Sequence, residues 1–159
     1  MHPRSEEFAA AASERYGFSP DVHEFPEGTK TAQDAADAIG CEVAQIASAI
    51  ALDVGGEVVV SLTSGANRVD FARIAALRGV SEDAVSMADP EPIKETLGWA
   101  IGGVPPICHA TAVPVYLDET LTGFEEVWAA AGTPSAVFPI SPDRLVELSG
   151  AEVAQVVEG

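Results

Sequence analysis

Over Arg4–Tyr16 the apolar positions Phe8, Ala11, Ala12 and Tyr16 fall near one helical face, and Gly17 can end that helix. Val22–Phe25 reads as a short strand stopped by Pro26-Glu27-Gly28. Thr31 then caps a second helix over Ala32–Ile39, with Asp34 three residues on as a weak capping-box partner and Gly40 at its end. The alanines of that helix point to close packing. Gln45–Leu52 alternates small and large residues, and Glu57–Thr63 (EVVVSLT) is a clear β segment. With Gly55-Gly56 between them, the two predict a hairpin. A loop at Ser64-Gly65-Ala66-Asn67 leads into a short helix over Asp70–Leu77, then a turn at Ser81 and Asp83 and a strand at Val85–Ala88.

Asp89-Pro90 starts a further helix that should stop at Gly98, because proline fits the first helical position. Gly102-Gly103-Val104-Pro105-Pro106 reads as a loop. Strands follow at Val113–Leu117, Glu126–Ala131 and Ala136–Ile140. Ser141-Pro142 caps a last helix through Leu148, and Val153–Val157 is a terminal strand. Strands and helices intermix, but the hairpin disfavours a purely parallel sheet. The fold class expected is therefore α/β mixed (α+β), one domain over residues 1–159 with a largely non-parallel sheet.

Composition narrows the partners. Eight Lys and Arg stand against 25 Asp and Glu, a formal charge of −17. That balance argues against a broad basic face on nucleic acid, DNA included, but not against a small local basic site. No run of about 18 apolar residues occurs, so a membrane span is not expected. Met1–Phe8 has no apolar signal core. The two cysteines, Cys41 and Cys108, have no metal-type spacing and point to a reducing cytoplasm. His2 and His23 have no partners at ligand spacing, so no metal is expected. The chain has only two lysines, Lys30 and Lys94, which with the excess of acids suits a surface solvated in concentrated salt.

The order of several segments resembles the YbaK/ProX superfamily of free-standing aminoacyl-tRNA editing domains. They are TAQDAADAIG (Thr31–Gly40), QIASAIAL (Gln45–Leu52), VVVSLTSGANRVD (Val58–Asp70), GGVPPICH (Gly102–His109), VPVYLDETL (Val113–Leu121) and the stretch Ala129–Ala151. The likeness covers about residues 20–157, and its most diagnostic part is the Gly-Gly-x-Pro-Pro loop followed by x-x-Tyr-x-Asp. The resemblance implies a curled mixed sheet, a partly open barrel with helices around it. It also implies hydrolysis of the ester joining a wrong amino acid, such as alanine or cysteine, to the 3′ end of a tRNA. The implied partners are aminoacyl-tRNA and a synthetase. No cofactor is implied.

One departure bears on activity. The family carries a lysine in the strand matching Ile46–Leu52, and here the aligned residue is Ser48. A hydroxyl offers one donor and no charge where an ammonium offers three donors and a full charge. Losing a charge-assisted bond costs about 1.5–3 kcal/mol, one to two decades in rate if the bond acts in the transition state. Lys30, in the preceding loop, could reach a similar place. A catalytically degenerate member that binds a tRNA end, nucleotide or synthetase is the alternative function.

The remaining site candidates follow from the resemblance, each beside a plainer reading. Gly102, Gly103, Val104, Pro105 and Pro106 would line the pocket with backbone N–H groups aimed at the ester oxygen, or simply form a rigid turn. His109 would bound the pocket or orient a water, or be a packed histidine. Cys108 reads as buried and inert, since adjacent side chains in an extended segment face apart. Thr133 would help choose the amino acid, or cap a turn. Thr31, besides capping a helix, joins the substrate-binding set. Asp118 is expected to cap the next turn. Arg68 would touch terminal phosphates, or pair with Asp70 on the surface.

The acidic surface carries its own prediction: the melting temperature rises steadily from low to multimolar KCl. A flat or falling curve would remove the salt-adapted reading.

Overall fold

The computed structural model describes residues 1–26, 29 and 31–158. Helix α1 (Pro3–Tyr16) and the two-residue strand β1 (His23–Glu24) come first. Helix α2 (Ala32–Ile39) follows, with Thr31 Oγ1 accepting from the Asp34 amide at 3.0 Å. Strands β2 (Ala47–Val54) and β3 (Glu57–Ser64) form the expected hairpin through Gly55-Gly56. Helix α3 (Phe71–Arg78) is capped by Asp70, whose carboxylate accepts from the Ala72 amide at 3.0 Å. Strand β4 (Val85–Met87), helix α4 (Pro90–Leu97) and strand β5 (Val115–Asp118) lead to a 3-10 turn over Glu119–Gly123. Strands β6 (Val127–Ala130) and β7 (Ala136–Ile140), helix α5 (Pro142–Ser149) and strand β8 (Glu152–Ala154) complete the order.

The strands divide into two sheets, β4-β2-β3-β5-β8 and β1-β7-β6. The smaller sheet is antiparallel, as is the β4-β2-β3 half of the larger one. The other half supplies the parallel minority of a largely non-parallel fold: β5 runs parallel to both β3 and β8. A single parallel bridge, Ile46 to Trp128, joins the sheets. The mixed fold class holds, as a curled pair of sheets without a closed barrel.

Alternation along the hairpin sorts two cores. Ala47, Ala51, Val60 and Leu62 enter the larger one, with Phe8, Leu97, Leu117 and Phe138. Leu52, Val54 and Val59 enter the smaller one, with Ile74 and Tyr116. Period-two geometry puts Ser48 on the Leu52 face, opposite Thr63 of β3.

Strand β2 is paired with β3 along its length, but on its other side only at its ends. Strand β4 pairs with Leu52–Val54, and the Ala88 amide donates to the Ala51 carbonyl at 3.1 Å. At the far end the outer edge meets only the Trp128 bridge. Odd-numbered residues of β2 turn their backbone groups outward, as the Ala51 carbonyl does, so Ala49 faces a gap between β4 and β6.

Asp118 closes the loop after β3. Its carboxylate is fully buried and accepts from the Ser64 amide at 3.0 Å, Asn67 Nδ2 at 3.1 Å and the Thr120 amide at 2.9 Å. The turn-capping expectation holds, and the same side chain also ties two loops together. The Gly-Pro loop is held from behind in a similar way. His109 is 8% exposed and its Nε2 donates to the Pro105 carbonyl at 2.8 Å. Trp99 Nε1 donates to the Cys108 carbonyl at 2.9 Å. Helix α1 adds Arg15, donating to the His109 carbonyl at 3.1 Å, and Arg4, stacked 4.1 Å over the Trp99 ring.

Two predictions follow from these anchors. Asp118→Ala strands the buried Ser64 amide and frees two part-buried donors, of Asn67 and Thr120, and lowers the unfolding free energy by about 1–3 kcal/mol, measured by urea titration. Burial pushes the His109 pKa down, against the opposing pull of the Pro105 carbonyl. The unfolded chain then takes a proton near pH 6.5 that the folded chain refuses, so the stability His109 provides is complete above that pH and is lost as pH falls below it. Relative to His109→Gln, wild type should lose stability between pH 7 and pH 5 with a slope of at most about 1.4 kcal/mol per pH unit. Parallel curves for the two proteins would contradict this.

Candidate functional site

Two cavities share a wall made of Ala32, Ser48, Ile50 and Met87. The first, of about 260 Å³, lies against the unpaired stretch of β2. Ala47, Ala49 and Ala51 are among its walls, and their single methyl groups leave the space that longer side chains would fill. Thr31, Gly102, Val104 and Thr133 line it with Ser48, so the Gly-Pro loop and β2 do enclose one chamber. The second cavity, of about 380 Å³, lies over the other face of the hairpin and is lined by Ser48, Thr63, Asn67, Arg68 and Phe71.

Local structure explains the loop's composition. Gly102 has φ +92°, a backbone conformation that side chains disfavour. Gly103 packs so closely on the next loop that a Cβ there would lie 2.7 Å from the Thr133 Cα. The Gly103 amide is spent on the Ala100 carbonyl at 3.1 Å. Among the described residues, no acceptor takes the amides of Gly102 or Val104. Both residues line the first cavity.

Several candidates stand behind the chamber instead of in its wall. Gly103, Pro105, Pro106 and His109 line neither cavity. Pro105, Pro106 and His109 are buried, and His109 spends its Nε2 proton on the loop backbone, so its geometry is that of a packed histidine supporting the turn. Lys30 lies outside the described residues. Thr31 keeps its capping bond while lining the first cavity. Thr133 is 4% exposed, its Oγ1 accepting from the Ser135 amide at 3.1 Å. Arg68 does not pair with Asp70, which lies 3.6 Å from Arg73 instead.

The electrostatics of the two cavities differ. Among the described residues, no charged side chain lines the first, and Arg68 is the one charged side chain lining the second. Cys108 lines neither, and burial pushes its thiol up to about 11, so it is protonated at neutral pH. Its φ of +68° also breaks the extended geometry expected for the Cys108-His109 pair. No cluster of three or more His, Cys, Asp or Glu able to hold a metal ion occurs among the described residues. No helix there is long and apolar enough to cross a membrane.

Sequence reasoning passed over Trp128, Met87, Ala49 and Phe71 as cavity walls. The available signal was the row of alanines at alternate positions of β2, which marks a strand edge with room beside it.

Comparison with known proteins agrees with this geometry. The model of the aminoacyl-tRNA editing domain matches residues 26–148. An uncharacterized Bacillus subtilis (strain 168) protein, YwhH, is 30% identical over 134 residues, covering 84% of this chain and 83% of that one. A crystal structure of a candidate trans-editing enzyme for prolyl-tRNA synthetase superposes with a TM-score of 0.92 at 41% identity, over 100% of this chain and 99% of that one. The hypothetical protein APE2540 superposes with a TM-score of 0.84 at 25% identity, over 95% of this chain and 99% of that one. The matched span contains the Gly-Pro loop, the open edge of β2 and the walls of both cavities, and the chain belongs to the aminoacyl-tRNA editing domain family.

Proposed function

We propose that this protein hydrolyses, in trans, the ester of a tRNA mischarged with a small uncharged amino acid such as alanine or cysteine. The observation that carries the reading is the first cavity, where Ser48 and the Gly-Pro loop meet over a floor of alanines. A charged side chain entering it would be desolvated without a counter-charge among the described walls, at a cost of several kcal/mol. The single methyl groups of Ala47, Ala49 and Ala51 shape a chamber for a small side chain, the logic of a sieve that hydrolyses what the synthetase charged in error.

In this reading the aminoacyl group lies in the first cavity. Its carbonyl oxygen faces the amides of Gly102 and Val104, which strengthen their hold as negative charge develops. The open backbone edge at Ala49 offers a carbonyl acceptor to the α-ammonium. Water attacks the carbonyl carbon, the bond from that carbon to the ribose oxygen breaks, and the ribose oxygen takes up a proton. The products are free amino acid and uncharged tRNA. A neighbouring ribose hydroxyl would assist the water, and Ser48 would anchor the sugar at the chamber mouth. No protein nucleophile is required, because the ester is already reactive and positioning supplies much of the acceleration. Thr31, Thr133 and Lys30 remain in the proposed substrate-binding set. Gly103, Pro105, Pro106 and His109 enter it as supports that position the loop.

Ser48 favours a second reading, a protein that binds the tRNA end, or a synthetase, without turnover. A panel of mischarged tRNAs tested with wild type and Ser48→Lys separates the two. We expect measurable release of a small amino acid by wild type, and a rate about 10- to 100-fold higher with the lysine. Release only by Ser48→Lys would assign the wild-type chain to the binder class. Silence from both proteins on every tRNA would overturn the deacylase reading.

A further inference from the structure

We propose that the second cavity is a nucleotide site, in which Arg68 holds the phosphate of the nucleotide that carries the ester. The inference rests on the deacylase or tRNA-end reading and adds a residue and a place to it. A protein with a formal charge of −17 has few cations to spare, and four of its eight Lys and Arg residues are held in ion pairs. Arg4 pairs with Glu7, Arg73 with Asp70, Arg78 with Glu57 and Arg144 with Glu147. Arg68 has no ion-pair partner among the described residues.

Its backbone is held firmly all the same. The Arg68 carbonyl accepts from the Glu158 amide at 3.2 Å, and Val69 next to it bridges to Val157. Asn67, one residue earlier, is fixed by Asp118 and by Thr120 Oγ1 at 2.9 Å. The side chain thus extends from a rigid base into solvent beside the cavity, with its donors unspent. A planar guanidinium suits a phosphate, to which it can make two parallel bonds.

The rest of the cavity matches the rest of a nucleotide. Both amide protons of Asn67 are used, which leaves its Oδ1 as an acceptor for a base amine or ribose hydroxyl. Phe71 gives an aromatic wall for stacking. The volume of about 380 Å³ falls within the ~300–1,000 Å³ of small-molecule sites. Above all, the two cavities meet at Ser48. A ligand spanning them has a small aminoacyl group at one end, a phosphate at the other and its sugar ester at Ser48. The charge absent from β2 is then supplied by the loop that follows β3, the strand paired with it.

The test is titration of the full chain with AMP, adenosine and inorganic phosphate, read by calorimetry and by amide chemical shifts. AMP should bind more tightly than adenosine or phosphate and shift the amides of Asn67, Arg68 and Phe71. Arg68→Ala should weaken AMP about tenfold or more and leave adenosine nearly unchanged, while Arg68→Lys recovers part of the loss. Arg68 has no ion-pair partner to abandon, and an unchanged melting temperature would confirm that the variants fold. Equal AMP affinity in wild type and Arg68→Ala, shifts on another face, or no AMP binding at low salt would each overturn the proposal. If wild type deacylates a mischarged tRNA but shows none of these AMP effects, the nucleotide site fails and the deacylase stands. Arg68-dependent AMP binding with no turnover would leave the site standing and the deacylase refuted.

Discussion

An incompletely paired strand governs this molecule. Strand β2 gives one edge wholly to β3, and the other only at its two ends, to β4 and to the Trp128 bridge. An open sheet edge is ordinarily a hazard, because its amides and carbonyls recruit any passing strand. Here the unpaired stretch is short, centred on Ala49, and it shares its chamber with the Gly-Pro loop and Thr133. What remains is a short length of polar backbone inside an uncharged chamber with serine and threonine hydroxyls among its described walls. The alanines on either side are part of the same solution: a leucine at position 47, 49 or 51 would pack the chamber shut.

A binding wall made largely of backbone has to be held still by something else. The supports sit one layer back. His109 grips the Pro105 carbonyl, Trp99 grips Cys108, and the bare Cα of Gly103 rests on Thr133. Helix α1 braces this layer through Arg4 and Arg15. Asp118 does the same for the second cavity, where one buried carboxylate orders the loop bearing Asn67 and Arg68. Spending buried polar groups on loop geometry makes sense where a loop amide displaced by an ångström no longer meets the charge it serves.

Much of this was legible in the sequence, for local reasons. Thr31, Asp70 and Ser141 cap their helices with their own side chains, so those boundaries follow from residue type. The Gly55-Gly56 hairpin carries its register with it. The family resemblance groups Ser48 with the Gly-Pro loop in one site, and both line the first cavity. What escaped depends on distant partners. Nothing in the composition of Val115–Asp118 says that it pairs parallel to both β3 and β8, since a buried strand looks alike in either direction. Gly103 and His109 read as site residues through the family resemblance, yet residues of a tight loop alternate between its lining and its backing, and these two line neither cavity. The second cavity was invisible for a related reason: its walls come from α2, β2, β3, α3, β4 and the loop between β3 and α3.

The charge pattern then acquires a direction. A surface this acidic repels a polyanion everywhere except where a cation is left uncommitted. If Arg68 holds the nucleotide phosphate as proposed, that contrast would favour approach of a tRNA end at low salt to the one charged side chain among the described residues that lines a cavity. At about 1 M salt the Debye length shrinks to ~3 Å, long-range repulsion vanishes, and only groups in contact still matter. A guanidinium at the mouth of a fitted cavity keeps its bidentate bonds under those conditions, whereas a diffuse basic face would lose most of its attraction. One well-placed arginine beside a shape-selective chamber is therefore a workable way for a strongly acidic protein to recognise the end of a nucleic acid, and it asks for specificity from geometry where other proteins draw it from charge.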